Sequence, residues 1–324
     1  MQTSTKLVPR EIDKMITYGR IYKMKKLLGI LVLGLFVFSN SFAEKINIKN
    51  KVKLPTDVAR GYENPWEFSC TWTEDGKCMT PKYALQIVNK KDNHPVRLGK
   101  KSIRMELRKG DCHQKRKGSY NDCKATPPAE RHELGNRNDI IGKKWHTYSI
   151  FLPKDTPTIN SEWITMGQFH VINGNAPPVN LDLERKHFLL VTRFFCVNSK
   201  YCNSRHLQNR RIKILDSDQL FGKWNDFIFN ANWTSDTKKG YFKLWVNGQL
   251  VYHFKGRTIA PKDAAIHQLG IYRGAAISSG EANHIVYYDE INYAKSCKKL
   301  KLKKLGYSCK DLKSQKLEKI HTIK

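Results

Sequence analysis

Gln168 and His170 stand two residues apart in Trp163-Ile164-Thr165-Met166-Gly167-Gln168-Phe169-His170-Val171-Ile172. The run reads as a β-strand, in which a period of two puts the amide and the imidazole on one face and Phe169 on the other. Two further stretches offer groups to the same place: Arg131-His132-Glu133-Leu134 and Leu269-Gly270-Ile271-Tyr272-Arg273-Gly274. Singly, each has a plain reading as a wet strand face, a surface ion pair or a packed tyrosine. Arg104-Met105-Glu106-Leu107-Arg108 repeats the Arg–Glu alternation, so that pattern alone does not single out Arg131. Together they supply the parts of one reaction, β-elimination in a polymer of uronic acids. The proton on C5 of a uronate lies next to a carboxylate and is very weakly acidic. Its removal needs donors that neutralise the carboxylate, and Arg131 and Gln168 suit that task. It needs a base, for which His170 and Tyr272 are both candidates, and an acid at the departing O4, which suits a tyrosine hydroxyl. The scheme uses no metal and no organic cofactor.

The elements that must hold these groups read as short strands. Ser102–Leu107, Lys144–Leu152, Phe188–Phe195, Asp226–Asn230, Tyr241–Trp245 and Ile285–Ile291 are apolar or alternating runs between turn signals. Asn247-Gly248 between two apolar runs predicts a tight hairpin. Many short strands without alternating helices predict an all-β protein, an antiparallel sandwich of the jelly-roll kind. A concave sheet of such a sandwich would make a groove suited to a polymer.

The ends differ from the body. Residues 24–43 read as a secretory signal, with a basic start at Met24-Lys25-Lys26, an apolar run from Leu27 to Phe38 and a small-residue cleavage site at Ser41-Phe42-Ala43. The run is short for a membrane span, so no stable membrane insertion is expected after its removal. Residues 1–23 precede it as a leader. This divides the chain into 1–43, a β domain over 44–294, and a lysine-rich tail over 295–324 that is helical or disordered. The formal charge is +29. Leaving out 1–43 gives +24, of which +9 sits in the tail. Such charge favours an anionic partner over long range. The eight cysteines form four close pairs: Cys70 and Cys78, Cys112 and Cys123, Cys196 and Cys202, Cys297 and Cys309. Eight cysteines allow 105 pairings, and four local loops are the simplest, in keeping with an oxidising, periplasmic or secreted location. No CxxC and no histidine at ligand spacing argues for zinc.

Arg-x-Glu-Leu, then Gln-x-His, then a late Gly-Ile-Tyr strand, in that order, resembles the jelly-roll polysaccharide lyases: alginate lyases, glucuronan lyases and the heparin lyase I type. Arg104–Asp111, Trp145–Pro153 and Trp224–Gly248 resemble the heparin lyase I-like group in particular, and the resemblance spans most of residues 60–294. It implies a β-jelly roll with Arg131 and Gln168 near the substrate carboxylate and His170 and Tyr272 in proton transfer. Gln268 stands four residues before Tyr272, where the heparin lyase I type often carries lysine, and His132 stands where Ser or Thr is common. Glu133, Arg193, Gln268 and Arg273 are the candidate substrate-binding residues, with Lys213 a further cation in a strand-like run. Arg273 would face away from Tyr272 on an ideal strand. Trp163, Trp224, Trp233 and Trp245 suit sugar stacking or, better, the core. Related sandwiches sometimes hold a structural calcium near Asp289. The expectation is a monomeric lyase for an anionic uronate polymer, with no nucleic-acid partner. The rival is a carbohydrate-binding jelly roll without catalysis. A sandwich-fold glycoside hydrolase would need two carboxylates across the scissile bond, and no such strand is present.

Overall fold

The computed structural model describes residues 45–47, 50–63, 65–72, 77–114, 121–157, 163–173, 176–184, 187–194, 210–274 and 283–322. The expected leader and signal, and the Cys196–Cys202 pair, lie outside these residues. Twenty strands follow in chain order. They are β1 (Lys45–Asn47), β2 (Lys51–Val52), β3 (Ala59–Arg60), β4 (Trp66–Phe68), β5 (Thr71–Trp72), β6 (Cys78–Pro81), β7 (Leu85–Asn89), β8 (Lys101–Leu107), β9 (Ala129–Ile140) and β10 (Gly142–Phe151). The second half has β11 (Ile164–Val171), β12 (Val179–Glu184), β13 (His187–Thr192), β14 (Arg210–Leu215), β15 (Trp224–Trp233), β16 (Tyr241–Val246), β17 (Gln249–Lys255), β18 (Ala265–Gly274), β19 (His284–Ala294) and β20 (His321–Thr322).

They build a β-jelly roll of two large sheets. The front sheet runs β14-β13-β12-β11-β18-β9-β4-β2, and the back sheet runs β20-β17-β16-β15-β10-β19-β8-β7, with β3 alongside β19. A small sheet, β1-β6-β5, sits apart from both. All pairings within the front sheet are antiparallel, which lets each strand bury one face and leave the other polar. On β11, Ile164 and Met166 enter the core, and so do Phe169 and Val171; the change of parity between the two pairs falls at the β-bulge between Thr165 and Gly167. Phe169 packs there among His267, Phe229 and Trp233. The expected hairpin is present: Asn247 and Gly248 both have positive φ (49° and 83°), and β16 pairs with β17 across them. That is the backbone a two-residue turn between twisted strands demands.

The stretch after residue 294 is not a loose tail but belongs to the same compact unit as the sandwich. Its short helical turns, Cys297–Leu300, Leu302–Leu305 and Cys309–Ser314, turn Leu300, Leu302, Leu305 and Leu312 inward. These leucines close over Trp145, Ile228 and Trp245 on the outer face of the back sheet. Each buried leucine is worth ~2 kcal/mol of apolar burial. The Cys297–Cys309 disulfide ties the segment into a loop, and Trp245 Nε1 donates to Leu312 O at 3.0 Å. Composition alone concealed this because the leucines are outnumbered by lysines, and only their spacing on successive turns makes a face. Cys70–Cys78 and Cys112–Cys123 are bonded as expected.

Candidate active site

Strand register lines up the candidate residues. Across the outer face of the front sheet, Glu67, Gly135, Gln268, Gln168, Asn180, Val191 and Arg211 are successive cross-strand partners. A second row holds Arg131, Tyr272, Thr165, Asp182, Leu189 and Lys213. Between the rows, Glu133 lies opposite Gly270. Gly270 has φ +145°, and a Cβ there would come within 2.2 Å of His132 O, so a side chain is excluded where β18 crosses β9. The irregularity at this glycine and at Met166 offsets the register between the two rows.

The groups of β9, β11 and β18 are joined in one chain of contacts. Gln168 Nε2 donates to Glu133 Oε1 at 2.7 Å, and Arg131 Nη1 donates to Glu133 Oε2 at 3.3 Å. Arg131 Nε and Nη2 donate to the two oxygens of Asp122 at 3.0 and 3.1 Å, a bidentate fork. The face of that guanidinium lies on the Tyr272 ring, its Cζ 3.8 Å from the centroid. Trp163 meets the same ring edge-on at 4.8 Å. Burial works against the charge of Arg131, but Glu133 and Asp122 outweigh it and hold the group firmly cationic. Burial raises the Glu133 carboxyl, with Arg131 and Gln168 opposing. Burial also raises the Tyr272 phenol, and the Arg131 cation pulls it back in part. The cation against the ring therefore stabilises the phenolate relative to what burial alone would allow.

Asp122 is the residue that sequence reading missed. It is fully buried and reaches Arg131 from the loop before β9. The one signal for it is its place beside Cys123. The Cys112–Cys123 disulfide joins two Asp-Cys pairs, and each aspartate grips a residue of β9. Asp122 holds Arg131, and Asp111 lies 3.1 Å from His132 Nε2. His132 itself faces inward and stacks on Phe68.

The other expected residues divide. Gln168 is 3% exposed, and His170 is half-buried on the same outer face, its Nδ1 2.8 Å from both the main-chain N and O of Val171. Gln268 lies beside Gln168, and its buried Oε1 has no hydrogen-bond partner among the described residues. Arg193 reaches across to the first row: Nη1 donates to Asn180 Oδ1 at 2.9 Å and Pro177 O at 3.2 Å. Asn180 Nδ2 in turn donates to Thr165 Oγ1, which donates to Asp182. Lys213 is exposed at the far end of the second row, 3.0 Å from Asp216.

Arg273 is a correction to the expected binding set. With Tyr272 outward, the period of two turns Arg273 inward, where it is 0% exposed. Its Nε donates to Glu130 at 2.6 Å, and it also meets His284. It ties β9 to β18 and is closed to a ligand. Among the tryptophans, Trp233 is core and Trp245 lies under the C-terminal segment, whereas Trp163 borders Tyr272. Asp289 accepts from the main-chain N–H groups of Arg97, Leu98 and Glu290.

An antiparallel jelly roll with a wide polar sheet face, crossed by a built row of amide, carboxylate, guanidinium and phenol, is the architecture of a carbohydrate-active protein. Residues 76–292 match the model of the Polysaccharide lyase family, and the chain belongs to that family and is a polysaccharide lyase. Among solved structures it is similar to an alginate lyase of polysaccharide lyase family 7, at 13% identity and TM-score 0.47 over 75% of this chain and 97% of that one. An alginate lyase from Pseudomonas aeruginosa matches at 12% identity and TM-score 0.46, over 71% and 97% of the two chains. One from Chlorella virus matches at 12% and 0.45, over 66% and 90%. No curated protein sequence matched.

Proposed function

We propose that the protein cleaves a uronate-containing, anionic polysaccharide by β-elimination, with Tyr272 as the proton-transfer residue. The observation that carries this reading is the continuous linkage Gln168–Glu133–Arg131–Tyr272, which couples an amide donor to a tyrosine whose ring rests on a cation. In the proposed step the Tyr272 phenolate takes the C5 proton. The C5–H electron pair forms the C4=C5 double bond as the C4–O4 bond breaks. The proton then passes from Tyr272 to O4, so one residue serves as base and acid and no atom is left unbalanced. Gln168 donates to the uronate carboxylate as charge flows into it, with His170 beside it on the same face. Glu133 anchors the Gln168 amide, which favours one rotamer for that donor.

Arg131 was expected to meet the carboxylate itself. Its commitment to Asp122, Glu133 and the Tyr272 ring supports a different task, stabilising the phenolate. Gln268 supports an unsulfated polymer: a neutral amide stands beside Gln168 on the site face and supplies no cation to pair with a sulfate. Alginate, on which the similar lyases act by name, is the first substrate to test, with glucuronan beside it. Export to the periplasm or beyond fits the disulfides.

The test is incubation with alginate, glucuronan, heparin, heparan sulfate and chondroitin, reading the ultraviolet absorbance of an unsaturated terminal sugar. The expected result is absorbance with an unsulfated uronan. Tight binding of one polymer with no absorbance from any would replace this reading with that of a binding module.

A further inference from the structure

The outer face of the back sheet carries charge that the catalytic reading leaves unused. Between residues 295 and 322 stand ten lysines, all exposed, against two acids, Asp311 and Glu318. The leucines on the inner side of this segment account for its folding, since they cover Trp145, Ile228 and Trp245. They place no demand on the outer side, which solubility alone would satisfy with mixed charges. A run of one sign instead costs the folded state through self-repulsion. The repulsion is held in place by rigid attachments. Besides the Cys297–Cys309 bond, Gln315 bonds Leu250 N at 2.6 Å and Gly248 O at 2.8 Å, and Tyr307 OH donates to Asp226 at 2.6 Å.

The charge continues onto the sheet itself. Lys243 lies two residues along β16 from Trp245, Lys255 lies on the neighbouring β17, and Lys143 lies on β10, one strand beyond β15. Burial first, and then Lys255 and Lys143, hold Lys243 below the ordinary lysine value. Lysine is the only cation in the C-terminal segment, which contains no arginine. Ammonium groups act as mobile point charges without the planar fork that selects a phosphate or a base edge. A surface of this kind suits a flexible polymer with regularly repeated carboxylates.

We propose that the lysine-studded C-terminal cap and the adjoining back-sheet face are a second, non-catalytic binding surface for anionic polysaccharide, on the side of the sandwich opposite Tyr272. The proposal rests on the reading of the substrate as a polyanion. A long chain held on this surface raises its own effective concentration at the catalytic face, whereas a short oligosaccharide gains nothing.

The test neutralises Lys298, Lys299, Lys301, Lys303 and Lys304 together to glutamine in the full-length protein, leaving the leucines in place. Binding is measured with a Tyr272→Phe background on immobilised alginate and immobilised heparin, with dextran as the uncharged control. The expected result is elution from both polyanions at clearly lower salt, with an unchanged melting temperature. In the Tyr272-containing protein, KM for long polymer rises severalfold and kcat/KM for short oligosaccharides stays the same. Should the fivefold variant fold poorly, the pair Lys143→Gln and Lys255→Gln is read in the same way. Elution unchanged in a folded variant overturns the proposal. So does a loss confined to phosphatidylglycerol vesicles or duplex DNA. Because the binding arm needs no turnover, the two readings fail separately. A cap-dependent polyanion binder that yields no unsaturated product keeps this proposal and removes the lyase substrate assignment. An active lyase whose binding ignores the lysines does the reverse.

Discussion

The two outer faces of the sandwich solve the same problem in opposite ways. Each is the solvent side of an antiparallel sheet, and each carries aromatic and charged side chains. On the back sheet, Trp145 and Trp245 stack at 5.5 Å and are roofed by leucines from the C-terminal segment, with the lysines outside. On the front sheet, the aromatic Tyr272 keeps partial exposure, and Arg131 and Glu133 on β9 meet Tyr272 on β18 and Gln168 on β11 across strands. Polarity on a strand therefore does not mark a site. What marks the front face is that its partners cross strands and arrive from outside the sheet. Asp122 reaches in from its loop to Arg131, and Gln168 reaches from β11 to Glu133 on β9.

The sharpest way to break this contrast is Tyr272→Phe. Loss of proton transfer should lower kcat roughly 10²–10⁴-fold while polymer binding persists. Initial rates of unsaturated-product formation measure it, and full activity in that variant would sink the assigned role. On the back face the expected effect is on stability and long-polymer binding, and not on the chemical step. Leu302→Ala should cost about 3 kcal/mol of unfolding free energy through the cavity it leaves. Urea denaturation reads the loss, and kcat on short oligosaccharides should not move. If kcat on short oligosaccharides falls with it, the back face is coupled to the chemistry of the front face.

The Cys112→Ser, Cys123→Ser double variant probes the front face from its rim. Losing a cross-link over so short a loop should remove up to about 3 kcal/mol. If the disulfide positions Asp122 on Arg131, kcat falls as well. The corresponding Cys297→Ser, Cys309→Ser variant should lower stability and leave kcat unchanged, and equal kcat losses in both would erase the distinction between faces.

The smallest expected effect is on pH dependence. Burial keeps the Tyr272 phenol above its ordinary value, so kcat/KM should climb with pH on the alkaline side as the phenolate forms. Arg131→Gln removes a cation that lowers this pKa and leaves Asp122 and Glu133, which raise it, so the alkaline limb should move to higher pH. A limb that stays in place or moves down would separate Tyr272 from the base role.

Much of the fold was legible from side-chain period. The strand expected over 163–172 is β11 at Ile164–Val171, and the Asn247-Gly248 turn stands where its left-handed preference put it. Gln168 and His170 share a face because alternation is local, and alternation also turned Arg273 inward against its assignment as a binding residue. The order of Arg-x-Glu-Leu, Gln-x-His and Gly-Ile-Tyr pointed to the family. Asp122 was not legible: its place beside Cys123 is the one local signal, and only the fold brings that loop to Arg131. Nor was the folding of the C-terminal segment, whose lysine content masks four inward leucines.

By itself, the sequence determined which residues alternate, which cysteines are near enough to pair, and that the chain carries a strong positive charge. These properties depend on neighbours within a few residues. Tertiary structure alone decided that Gln168, Glu133, Arg131 and Tyr272 form one linked set across two rows, because that depends on the register of three strands far apart in the chain. It also decided that the lysines lie on the face away from that set, because a leucine side becomes visible only when there are tryptophans for it to cover.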